Sequence, residues 1–264
     1  LSQSNLLAQA GGRLTFTATH WGELGRQGYT ILSGAIDDAH LRAAQDAAIE
    51  LNALYPEGPW DLRRKDLWRQ VYSCEDPRIV SLVADILDPL ALEIVDTVAT
   101  PDRIQLASAL PGFSTTRDTP RFLHIDGGKG PSLAAFNFLF GVALTSITSD
   151  TAGGFHILPG SHDKFAELFR SQPTDRPVHW GELKMAGQDK FRADAQMVVP
   201  RLQPGDIIVC HSFLAHGTSG NRSDVRRDMI FQRRAAVPLA ESATRMEARE
   251  AFMRDHWSLF KRRP

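Results

Sequence analysis

The chain has little sulfur. Two cysteines, Cys74 and Cys210, in 264 residues are too few for a disulfide framework, and a reducing cytoplasm is the expected compartment. Cys210 ends the apolar run Ile207-Ile208-Val209-Cys210, where a buried, inert thiol is expected. An excess of one charge is also missing. Lys and Arg total 30 against 31 Asp and Glu, so the formal net charge is -1 and the pI about 6.8. That balance asks for neither nucleic acid nor an anionic membrane as a partner. Long hydrophobic runs are absent too. The longest, Leu133 to Leu144, is broken by Asn137 and is too short to span a bilayer. No stretch reads as a signal peptide, and no internal repeat, low-complexity segment or linker divides the chain.

What remains is an ordinary globular composition, 42% hydrophobic and 23% charged. It suffices for a substantial core in a single domain over residues 1–264. Residues 1–20 are polar and read as an arm. Gly28 to Leu32 reads as a short strand. Asp37 and Asp38 offer N-caps to a helix over about 38–54, with Leu41, Ala44, Ala48 and Leu51 on one face. Residues 60–72 mix basic and aromatic side chains and read as a loop or a lid. Asp76-Pro77 opens a helix to about Asp88, and Pro89 restarts it to about Val95.

From Ile104 the period changes from helical to two: Ile104, Leu106 and Ser108 alternate against Gln105 and Ala107. Further strands are expected at 136–144, 154–158, 197–200, 207–213 and 227–234, with a short helix at 162–171. An irregular polar stretch over 172–194 is a second candidate lid, and a C-terminal helix is expected over about 240–256. Short strands with turn signals after N-terminal helices predict a mostly β fold. Its jelly-roll core would span about 100–234, with a helical buttress over about 28–98.

Chemistry concentrates in two places. In Phe122-Leu123-His124-Ile125-Asp126-Gly127-Gly128 an imidazole and a carboxylate stand two residues apart. On a strand they share a face and can grip one metal ion, and a His-X-Asp pair with one distant His is the ligand set of non-heme Fe(II) oxygenases. Downstream, Pro204-Gly205-Asp206 leads into an apolar strand, then His211, His216, a polar Gly-containing loop and Arg227. An Arg fork takes a carboxylate through two parallel hydrogen bonds. His211 is the rival to His216. The odd offset of five puts the two on opposite faces of a strand.

On three blocks the chain resembles the phytanoyl-CoA dioxygenase family of Fe(II)/2-oxoglutarate oxygenases. They are His124-Ile125-Asp126, the stretch Gly153-Gly154-Phe155-His156-Ile157-Leu158-Pro159-Gly160-Ser161-His162, and the strand from Gly205-Asp206 through His216 to Arg227. Gly217-Thr218, Asn221-Arg222-Ser223 and Arg227, eleven residues after His216, match the family's offsets. The resemblance spans about 28–234 and implies a double-stranded β-helix. It makes His124, Asp126 and His216 the iron ligands. Arg227 would hold the distal carboxylate of 2-oxoglutarate, with Thr218 assisting. It also implies O2 as co-substrate, succinate and CO2 as co-products, and oxidation of a C–H bond, chiefly hydroxylation, in a small molecule. Asp126 points the same way, since related halogenases have Ala or Gly there.

His162 and His156 are expected to be structural, His162 as a helix cap. Arg226 is expected to face away from Arg227, and Asn137 to be a satisfied strand amide. Arg63, Arg64, Lys65 and Lys129 permit an acidic substrate. Three alternatives stay open at this level: desaturation, epimerisation or ring formation at the same iron, a binding protein that keeps the fold without the chemistry, and a zinc hydrolase. Substrate identity and oligomeric state are not written in these residues.

Overall fold

The alternating second half of the sequence folds into two antiparallel sheets. In this computed structural model, residues 14–54, 68–71, 74–99, 103–113, 124–125, 136–171, 197–240 and 245–264 are described. The larger sheet runs β1 (Tyr29–Leu32), β6 (Ile207–His211), β4 (Phe138–Ala143), β8 (Arg227–Arg234), β3 (Ile104–Ala109), β2 (Trp68–Val71). The smaller pairs β5 (Phe155–Ile157) with β7 (His216–Thr218).

Alternation sorts side chains between the faces of the larger sheet. Ala107, Leu139, Ala143, Ile208, Cys210, Met229 and Phe231 point inward and pack with Phe155 and Ile157 of β5. Ile104, Leu106, Phe138, Phe140, Val142, Val209 and Ile230 point outward, into a core shared with the helices. A register slip of one residue would exchange the two sets, so burial on both faces pins the pairing. This is the predicted jelly-roll core with its helical buttress.

The N-terminal expectation needs correction. Residues 14–20 are not an arm, because α1 (Ala18–Gln27) begins there and buries Trp21 and Leu24. Thr17 Oγ1 accepts the His20 N–H and His20 Nδ1 accepts the Thr17 N–H, a reciprocal cap. A His stands where the usual signature has Glu or Gln, which hides the start. Gly28, at φ 80°, ends the helix. A Cβ there would lie 2.6 Å from His162 Nδ1, so this turn requires glycine on two counts.

Helix α2 (Asp38–Leu54) has the predicted bounds. Asp37 Oδ1 accepts the N–H groups of Ala39 and His40, and Ala44, Ala47, Ala48 and Asn52 form the buried face. After α3 (Pro77–Leu82), a π turn over Val83–Leu87 leads into α4 (Asp88–Ile94). Pro89 has no N–H to give, and the wider turn carries the axis past it. Trp68–Val71, expected in a loop, is a strand paired with β3. It forms one edge of the larger sheet.

The expected strand over 197–200 reduces to a bridge between Val198 and Ile157. Helix α5 (Ser161–Arg170) lies where expected, and α6 (Val237–Ala240) and α7 (Arg245–Arg254) replace the single C-terminal helix. Of the lid candidates at 60–72 and 172–194, residues 60–67, with Arg63, Arg64 and Lys65, residue 72 and all of 172–194 lie outside the described residues.

Candidate active site

His124 and His216 face each other. Each donates its backbone N–H to the other's backbone carbonyl at 2.8 Å, and the rings stand 4.6 Å apart, centroid to centroid, at 52°. The bridge forms because β7 carries His216 at the end of the smaller sheet, where Ile157 is its partner on the other side. His216 is buried and His124 exposed, so the pair opens outward on the His124 side.

The His216 ring is fixed on two counts. Its Nδ1–H donates to the Leu214 carbonyl at 2.9 Å, and Phe155 lies against it at 5.0 Å. With the proton held on Nδ1, Nε2 presents the lone pair that a metal needs. The pair therefore fits a metal that takes imidazole nitrogen. Asp126, the expected third ligand, lies outside the described residues, as do Gly127, Gly128 and Lys129.

Arg227 begins β8 on its inner face and is 1% exposed. Its Nε–H donates to the Gly153 carbonyl at 2.6 Å and an Nη1–H donates to the Ala107 carbonyl at 3.0 Å. These bonds fix the guanidinium plane. Burial pushes its pKa down to about 10, partly opposed by Asp228, so the cation persists at neutral pH. Two carbonyls thus orient a buried cation of the kind that pairs with carboxylates. Phe155, which touches His216, is two residues from Gly153, which touches Arg227. The two expected half-sites thus share one wall. Thr218, at the other end of β7 from His216, is half-buried and pairs with Phe155.

Two contributors carry no assigned role in the sequence reading. Asn221 is fully buried. Its amide donates to the carbonyls of Ala109 and Val225, both at 2.8 Å, and its oxygen accepts from the backbone N–H and hydroxyl of Ser223. It staples the loop that delivers Arg227. The Asn-X-Ser spacing was its signal. Gly153, at φ 70°, sits so close that a Cβ would meet Ala109, Asn221 and Arg227 at 3.0–3.4 Å.

The remaining histidines separate from this site. His211 Nδ1 accepts the Phe213 N–H at 3.0 Å, so its Nε2–H donates to the His256 carbonyl at 3.1 Å. Both nitrogens are spent, and the ring lies among Phe252, Trp257 and Phe260. This removes the rival ligand. His162 is structural but does not cap α5. Gly160 occupies the cap position without a side-chain bond, and His162 Nε2 pairs with the Gly25 carbonyl at 3.1 Å.

His162, Asp163 and His256 bring ligand-type atoms within 4.8 Å of one another. Yet Nδ1 of both histidines is buried without a partner among the described residues. A ring bound through Nε2 would then hold an unpaired buried N–H. His156 Nε2 lies 3.5 Å from the Asp150 carbonyl. Arg226 pairs with Asp228 at 2.7 Å, away from Arg227. Asn137 is half satisfied: its oxygen accepts the Ala236 N–H, while its Nδ2 is unpartnered among the described residues.

Solved structures share this architecture. SnoK, a non-heme alpha ketoglutarate dependent carbocyclase from nogalamycin biosynthesis, is 18% identical with a TM-score of 0.64, covering 85% of this chain and 87% of that one. EctD from S. alaskensis, solved with 2-oxoglutarate and 5-hydroxyectoine, is 20% identical with a TM-score of 0.62 over 93% and 84%. HygX from Streptomyces hygroscopicus, with nickel and 2-oxoglutarate bound, is 15% identical with a TM-score of 0.58 over 85% and 88%. No curated protein matches the sequence. Residues 24–229, however, match the family described as phytanoyl-CoA dioxygenase (PhyH). The chain belongs to that family and is a 2-oxoglutarate-dependent non-heme iron oxygenase working with iron, 2-oxoglutarate and O2.

Proposed function

We propose that this oxygenase hydroxylates a C–H bond of a small molecule, with His124, Asp126 and His216 as iron ligands and Arg227 as the anchor of 2-oxoglutarate. The observation that carries the assignment is the His124–His216 bridge, with the His216 tautomer locked by Leu214. Three protein ligands leave three positions on the iron, and the bound iron and 2-oxoglutarate supply the oxidising power when O2 reacts.

The chain's own part is orientation and shielding. Arg227, oriented by the Gly153 carbonyl, would hold the far carboxylate of 2-oxoglutarate. Thr218, on the same face of β7 as His216, adds a hydroxyl beside it. Phe155 and Phe231, 5.6 Å apart, form a dry wall next to the ligand ring. Asp126 favours oxygen insertion, because a carboxylate ligand takes the room that a halide would need.

The test is anaerobic titration of the metal-free protein with Fe(II) and then 2-oxoglutarate, watching for the visible charge-transfer band of a chelated 2-oxo acid. A band at one iron per chain that weakens in Arg227→Ala supports the assignment. No band with iron unbound refutes it. Product mass then decides the outcome: one added oxygen for hydroxylation, loss of two hydrogens for desaturation or ring closure, no change for epimerisation.

A further inference from the structure

The backbone leading into His216 is hydrogen-bonded residue by residue. The Ser212 N–H donates to the Asn137 carbonyl at 3.0 Å, the Phe213 N–H to His211 Nδ1 at 3.0 Å and the Leu214 N–H to the His211 carbonyl at 2.9 Å. The Ala215 N–H donates to a distant side chain, Ser161 Oγ, at 2.8 Å. Ser161 belongs to Pro159-Gly160-Ser161-His162, opens α5 and is fully buried.

The turn that presents this hydroxyl is itself fixed. The Ser161 N–H donates to the Leu158 carbonyl at 3.2 Å, and the Gly160 N–H donates to the Gln27 carbonyl at 3.0 Å. Gly160, at φ 74°, takes the left-handed conformation that turns the chain into α5. The Leu158 N–H in turn donates to the Ala215 carbonyl at 2.9 Å. Residues 158–161 therefore grip both polar backbone groups of Ala215.

The consequence for His216 follows from one peptide. The Leu214–Ala215 peptide is trans and planar, so its C=O and N–H point in opposite directions. Its N–H goes to Ser161 Oγ, and its carbonyl accepts the His216 Nδ1–H. Fixing one end aims the other. A peptide bonded at both ends is also polarised, so each bond strengthens its counterpart.

Resting on His216 as an iron ligand, we propose that Ser161 is a positioning residue for the metal centre. Through the Leu214–Ala215 peptide it aims the Leu214 carbonyl at His216 Nδ1, which keeps the proton there and the lone pair on Nε2. Without the hydroxyl, the Ala215 N–H loses its acceptor and the peptide is free to tilt. The imidazole proton then distributes over both nitrogens, and the ring loses the orientation that ligation needs.

The experiment reads the tautomer without any metal. Metal-free protein labelled with 15N-histidine is examined by long-range 15N–1H correlation at about pH 8, where imidazoles are neutral. The His216 signals are identified by their loss in His216→Gln. Wild type should show a single Nδ1–H tautomer, and Ser161→Ala a mixture of the two. Anaerobic Fe(II) titration of the same proteins should give a Kd raised ~10–100-fold in Ser161→Ala, the scale of a lost partner behind a metal ligand. Ser161→Cys, whose thiol accepts only weakly, should fall between, and it carries the comparison if Ser161→Ala does not fold. Ser108→Ala is the control. It deletes another buried hydroxyl, the acceptor of Asn52 Nδ2 at 2.9 Å on β3, and should lower the melting temperature while sparing tautomer and iron. The proposal is overturned if folded Ser161 variants keep the single tautomer, if Ser108→Ala mixes it as much, or if iron affinity stays within ~2-fold of wild type. A wild-type protein that binds no iron would instead overturn the metal-site assignment, a result distinct from any change between wild type and variant.

Discussion

Leu214 and His216 are joined by a bond that decides which imidazole nitrogen is available. The Leu214 carbonyl accepts the Nδ1–H at 2.9 Å, which puts the ring's lone pair on Nε2. His211, five residues earlier, spends both nitrogens inside the protein. The two histidines therefore predict opposite phenotypes. His216→Ala should fold and melt near the wild type but bind iron more than ~100-fold more weakly, beyond the loss of an outer-shell partner alone. His211→Ala should bind iron at one per chain but lose about 2–5 kcal/mol of stability, from a cavity plus the orphaned Phe213 N–H and His256 carbonyl. Melting would fall by roughly 5–15 °C. Iron stoichiometry and melting on both variants check the pair, and swapped results would reinstate His211.

Arg227 predicts a split between KM and kcat. Its fork is fixed by Gly153 and Ala107, so lysine, a point charge, does not replace it. Arg227→Lys should raise KM for 2-oxoglutarate about 10–100-fold and change kcat far less, the signature of lost binding common to ground and transition states. Arg227→Ala should also lower stability by about 1–3 kcal/mol, because two buried carbonyls lose their donors. An unchanged KM in the lysine variant would move the co-substrate anchor elsewhere.

Much of this site is legible in the residue order, and the reason is local. His124 and His216, singled out from their spacing, meet in a bridge, and Arg227 opens β8 on its inner face, while Asp126 lies outside the described residues. The predicted bounds of α2 hold for the same reason, since Asp37 caps where its carboxylate is two residues from Ala39. What was hidden depends on tertiary partners. The Thr17–His20 cap lacks the usual acid or amide, so the start of α1 was read as part of an arm ending at residue 20. Trp68–Val71 read as loop because its strand character comes from pairing with β3.

The loop before Arg227 predicts that a residue without contact to the co-substrate still sets its affinity. Asn221 uses its amide and its oxygen to tie Ala109, Val225 and Ser223 together. Asn221→Ala should cost about 2–4 kcal/mol through several unpaired buried groups and raise KM for 2-oxoglutarate several-fold. Gly153→Ala should do the same by another route, since its φ is 70° and the new methyl meets Arg227. Chemical denaturation alongside KM measurement separates the two effects. A variant that loses stability while KM stays at the wild-type value would show that the loop does not position Arg227.

The buried histidines away from the metal site predict how stability depends on pH. His211, His162 and His256 lie 5.1–6.0 Å apart, ring to ring. Burial, and for His211 the two neighbouring imidazoles, holds its pKa well below the ordinary 6.5. Burial lowers His162 as well, and it drives His256 to about 4 with help from His162 and Arg170, against the pull of Asp163. Each ring is then neutral in the folded chain at pH values where the unfolded chain protonates it. Between about pH 4 and 6.5 the unfolded state binds more protons, so stability rises with pH there and levels off above 6.5. Each such histidine contributes a slope of up to about 1.4 kcal/mol per pH unit. Melting temperature measured from pH 7.5 to 4.5 should therefore be flat and then fall. In His256→Gln one titrating ring is gone, and the fall should be shallower. Equal slopes in the two proteins would mean that other groups, carboxylates among them, govern the acid limb. The C-terminal helix packs on this cluster through Phe252 against His211, so loss of its helical signal should track the same transition.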